Sequence, residues 1–170
     1  MPSEETTKRA MRDKREGKTP STPAGEFIRE EFHHVREGKH GARSAKQAIA
    51  IGLSKARRAG VDLPPPEKGK ASETTRMSAE RAWKRGQGAP PQRKPSATRS
   101  RAIHRAFERE GSSAASHQAL SRQTHAAARY RTAADRSAAA KKAVHTKGQK
   151  RLVQAARKAA KTRSAHAHLG

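Results

Sequence analysis

An all-α protein is what this sequence predicts, a small helical hairpin with isolated or extended helices around it and much of the chain disordered when free. Three observations carry that expectation. The 32% of hydrophobic residues is mostly alanine, which favours helix but buries little area. Leu, Ile, Val and Phe together supply 16 of the 170 residues, well under the roughly 20% below which a highly charged chain cannot offset its ordering entropy. Only one stretch, about 23–60, combines an apolar stripe with helix caps and stops.

The elements follow in order. Ser3 can cap a short, highly charged helix to about Glu16, ended by Gly17 and the Thr19-Pro20-Ser21-Thr22-Pro23 stretch. Thr22 before Pro23 offers an N-cap and a first helical position, and Phe27, Ile28, Phe32 and Val35 form a stripe that stops at Gly38. Ser44 with Gln47 reads as a capping box for a second helix to about Ala59, and Gly60 with Val61 as a Schellman stop. Ile49 and Leu53 should pack on the first stripe, with Gly52 letting the helices approach closely.

Leu63-Pro64-Pro65-Pro66 cannot continue a helix and should be extended. Beyond it, Ser72 caps a weak helix carrying Met77 and Trp83, residues 86–95 read as a linker, and a helix from Ala97 to Glu110 groups Ile103 with Phe107. The remainder is alanine and base, interrupted at Gly148, and should form two helices that fray when free. The expected organisation is therefore a charged helix and linker at 1–22, the hairpin at 23–63, a Pro/Gly-containing linker with a weak helix at 64–96, and an Ala/Lys/Arg-rich helical tail at 97–170.

Within the hairpin, residues 24–66, above all the block Lys46-Gln47-Ala48-Ile49-Ala50-Ile51-Gly52-Leu53-Ser54, resemble a family of small basic bacterial proteins of uncharacterised function. The resemblance brings no catalytic residues with it. The tail is similar in composition to linker-histone-like bacterial proteins, which implies a role in chromosome compaction.

Charge points to the partner. A formal net charge of +24 and a pI near 11.6 call for polyanions. Residues 111–170 hold 13 bases against one acid, Asp135, the asymmetry of a basic interaction tail. The expected function is non-sequence-specific nucleic-acid binding by a nucleoid-associated or architectural protein, DNA ahead of RNA, through phosphate contacts that need no base readout. Backbone contacts are expected from Arg129, Arg131, Arg136, Lys141, Lys142, Lys147, Lys150, Arg151, Arg157, Lys158, Lys161 and Arg163. In the hairpin, Lys39, Arg43 and Lys46 surround the second helix's N-terminus and would clamp one phosphate, while Arg57 and Arg58 would touch another. An RNA- or ribosome-associated protein uses the same electrostatics, and a stress-related disordered protein or protein-interaction adaptor is the alternative of a different kind.

No enzyme, cofactor or metal is expected. Cysteine is absent, no phosphate loop or nucleophile motif occurs, and Glu30 with Glu31 reads as a solvated acidic face. Of the nine histidines, His33-His34, His40 and His166-Ala167-His168 come nearest to clusters, but no carboxylate pattern accompanies them. Trp83 and Tyr130 are expected to make local packing contacts. With no signal-peptide or membrane-spanning segment, a cytoplasmic, nucleoid location is expected. So few apolar residues also favour self-association through the hairpin.

Overall fold

The computed structural model describes residues 2–90 and 96–167, without the side chains at 146, 147 and 165–167. Among the described residues the protein is all-helical. Its α-helices are α1 (Glu4–Arg15), α2 (Ser21–Arg36), α3 (Ala45–Arg58), α4 (Glu73–Gly86), α5 (Ala97–Arg109), α6 (His117–Arg129), α7 (Ala133–Lys147) and α8 (Gln149–Ala167), with one 3₁₀ turn at Ser113–Ala115. The chain divides into two compact units, Met1–Gln123 and Thr124–Gly170. Part of the expected 86–95 linker lies outside the described residues.

The α2–α3 hairpin forms as its sequence pattern predicts. Phe27 and Val35 are fully buried, and Ile28, Ile49 and Leu53 pack at the edges of the core. A Cβ at Gly52 would stand 2.7 Å from Ile28 Cα, so the helices cross where only glycine fits. Two local details differ from the pattern. Helix α2 begins at Ser21 after Pro20 with no side-chain cap, so Thr22 lies inside it and bonds its N–H to Thr19 O at 2.8 Å. At α3, Ser44 Oγ accepts the Gln47 N–H as expected, but Gln47 Oε1 reaches past the cap to accept from the Arg43 N–H at 2.9 Å.

The far end of α3 closes as a Schellman motif. Gly60 has φ +84°, its N–H donates to Arg57 O, and the Val61 N–H donates to Ala56 O, both at 3.1 Å. Val61 is thereby turned into the core beside Phe27 and Ala56. The proline run that follows is held by Arg57, whose guanidinium donates to Leu63 O at 2.9 Å and to Pro64 O at 3.3 Å.

The hairpin is not alone. Helix α1, read above as a separate charged segment, packs on α2 with Thr6, Ala10 and Asp13 buried. Its joint is polar: the Ser3 N–H donates to Glu30 Oε1 at 2.6 Å and Arg9 Nε to Glu26 Oε2 at 2.7 Å. Helix α4 packs on α3 through Ala79 and Ala82. Gly86 closes that contact, since a Cβ there would fall 1.8 Å from Arg57 O. Trp83 adds a hydrogen bond from its indole N–H to Asp62 Oδ1 at 3.0 Å.

A third addition comes from beyond residue 96. The C-terminal end of α5 docks on the α2–α3 loop, where the Gly41 N–H donates to Phe107 O at 2.9 Å. Ala114 and Ala115 then enter the core beside Phe32 and Val35, and Arg36 Nε donates to Ala115 O at 3.0 Å. Among the described residues the core is thus two small clusters filled mainly by alanine. In the second unit α7 and α8 meet at Gly148, which has φ +71°. Thr132 and Asp135 form a capping box at the start of α7. No helix among the described residues is long and apolar enough to cross a membrane.

Candidate nucleic-acid interface

Helical alanine-rich sequence with no apolar face leaves its bases in water. Arg129, Arg131, Arg136, Lys141, Lys142, Lys150, Arg151, Arg157, Lys158, Lys161 and Arg163 are all exposed. The Lys147 side chain lies outside the described residues. The acid of this region, Asp135, is turned back on its own helix start, its Oδ2 accepting from the Thr132 N–H and hydroxyl at 3.2 and 2.8 Å. Tyr130, expected to pack locally, is 91% exposed at the break between α6 and α7.

The hairpin bases separate into two kinds. Arg43 and Lys46 are exposed around the start of α3. Lys39 pairs with Glu37 Oε2 at 3.0 Å, and its hydrogen bond and charge lower the Glu37 carboxyl from the ordinary range. The clamp expected from all three therefore starts with one member already engaged. Arg57 is buried, and its guanidinium bonds go to Leu63 and Pro64 at the start of the proline run, so in this structure it serves the fold.

Arg58 stays exposed and finds an unforeseen neighbour in Arg85 of α4. The two line one cavity of about 520 Å³ together with Lys55, Pro2, Thr7 and Ala59. Partial burial and the like charge of Arg85 both lower the Arg58 pKa. A cavity walled by repelling guanidiniums favours an anion. Sequence reading missed Arg85 because nothing local reveals that α4 docks on α3.

A different chemistry lies at the centre of the first unit. Glu30 and Glu31, read as a solvated face, are 7% and 0% exposed. The reason is the packing of α1 and α3 against α2, which the carboxylates answer with specific partners. Glu30 Oε1 takes the Ser3 N–H, and Glu31 Oε2 takes Lys55 Nζ at 2.5 Å. Glu30 Oε2 and Glu31 Oε1 are buried without a hydrogen bond. Donor atoms of Glu31, His34 and His40 all lie within 4.8 Å of one another, so the carboxylate that the histidines lacked in the sequence is Glu31. The i,i+3 spacing of Glu31 and His34 was the available signal. Burial and the nearby Lys55 charge lower the His34 pKa, keeping its ring neutral. The side chain of His166, and His168 altogether, lie outside the described residues.

Residues 2–68 match a family of unknown function, DUF6496. That match spans α1, α2, α3 and the proline run, and so reaches the N-terminal helix as well as the hairpin. No curated protein and no solved structure matches the chain.

Proposed function

We propose that this protein binds nucleic acid without reading sequence, as an architectural, nucleoid-associated protein of DNA rather than a catalyst. The single observation that carries this reading is the row of exposed bases from Arg129 to Arg163, with the one acid of the region folded back on Thr132. Each such base that meets a phosphate releases counterions, and the resulting affinity depends on charge and not on base edges. Arg58 and Arg85, with Arg43 and Lys46, supply subsidiary anion contacts on the first unit, and exposed Tyr130 offers a ring on which a base can stack.

The test is binding of the full chain to a duplex DNA of arbitrary sequence over a range of salt. Log affinity is expected to fall against log salt by about 0.9 for each phosphate contacted, and equally for unrelated sequences. A flat slope would remove the phosphate-contact mechanism. The same titration with duplex and single-stranded RNA fixes the polymer: RNA bound ten-fold more tightly than DNA would reassign the protein to the RNA- or ribosome-associated class.

A further inference from the structure

We infer that Glu31, His34 and His40, all in the first unit, form a binding site for a divalent transition ion of the zinc type. The argument begins with His40. Its Nδ1 lies 3.2 Å from the carbonyl oxygen of Gly41, which can only accept, so the contact is a hydrogen bond in the form that carries a proton on Nδ1. In the neutral ring Nε2 is then a lone pair, and it stands 3.3 Å from Glu31 Oε1. That oxygen is buried and makes no hydrogen bond. A lone pair on Nε2 thus faces a buried carboxylate oxygen that has no hydrogen bond, an arrangement that a cation between them would satisfy.

A proton would serve these two atoms alone. The third donor decides for a metal, because one ring nitrogen of His34 converges on the same point. With all separations at or below 4.8 Å, an ion in the middle stands within about 2.8 Å of each donor. Zinc bonds to imidazole nitrogen and carboxylate oxygen are about 2.0 to 2.2 Å, so side-chain adjustments of up to about 0.8 Å complete the site.

The surroundings are those of a held ligand set. Lys55 fixes the other oxygen of Glu31, and the Gly41 carbonyl fixes the His40 tautomer; such outer partners orient metal ligands. His40 is further held between His34 and Phe107, with ring centroids 6.0 and 6.1 Å away. Two histidines and one carboxylate suit zinc and leave a fourth position open. A cleft of about 140 Å³ bordered by His40, Glu108 and Glu110 brings solvent to the His40 ring. The site would tie α2, the α2–α3 loop and, through Phe107, α5 into one unit.

Calorimetric titration of the full-length chain with zinc chloride tests this, and Co²⁺ absorption gives a second readout of an ordered nitrogen and oxygen site. One ion per chain is expected, with affinity lowered on the order of ten-fold or more by His34→Ala and by His40→Gln. His33→Ala, altering an exposed histidine one residue away on the same helix, should leave affinity unchanged. Circular dichroism confirms that the variants remain helical, and a His40→Gln chain that lost its helix would be replaced by Glu31→Gln, which keeps the Lys55 bond partner. Absence of a one-to-one complex, or equal loss in the His33 and His40 variants, would overturn the site in favour of scattered surface histidines.

Discussion

Arg57 and Arg58 are adjacent in sequence and identical in type, yet the fold gives them opposite tasks. Arg57 is buried with its guanidinium on the Leu63 and Pro64 carbonyls, while Arg58 faces outward beside Arg85. Arg57→Ala is expected to lower stability by about 1 to 3 kcal/mol, read as a drop in Tm, through lost charge-assisted hydrogen bonds and lost packing of the stem. Arg58→Ala should change stability by less than about 0.5 kcal/mol and instead reduce the salt slope of DNA binding by about 1. Composition named both as anion contacts, since a helical period of 3.6 does not say which of two neighbours the next loop will cover. The Glu30–Glu31 pair was misread for the same reason: its burial is set by α1 and α3, at sequence separations that no local pattern reports.

At the scale of elements, what was legible was what carried its own punctuation. The α2–α3 hairpin, the Ser44 cap and the Gly60 stop could be read because caps, glycines and large apolar side chains act within a few residues of each other. The docking of α1 and α4 could not, because their inward faces are alanine, threonine and one aspartate, which look like solvated surface. Gly86 makes the α4 contact testable. In Gly86→Ala the new methyl has no room against the Arg57 carbonyl, so the end of α4 must move off α3. Trp83, the chain's single tryptophan, reports the change: loss of its bond to Asp62 should shift its fluorescence to the red while total helicity falls little. Unchanged emission would mean that α4 is held by contacts other than these.

Across the whole molecule, the all-helical class and the basic terminal region were read from composition, whereas the alanine-filled core was not, because alanine is ambiguous between a helix surface and a tight helix contact. The proposed division of labour has a measurable form. Replacing Lys141, Lys142, Arg157, Lys158 and Lys161 together by glutamine is expected to flatten the salt slope by about 4 to 5 with the Tm of the first unit unchanged, since these residues lie outside it. The directions in which the bases point add a further consequence. At about 100° per residue, Arg136, Lys141 and Lys142 leave α7 in three directions, whereas Lys150, Arg157 and Lys161 share one side of α8 with Arg151 and Lys158 adjacent and Arg163 on the far side. Helix α8 can therefore lie along a single duplex, but α7 has a valence greater than one. Once α8 is seated, some of the α7 bases still face away from that duplex and can take up a second, so adding protein should first raise occupancy and then draw separate duplexes into bundles.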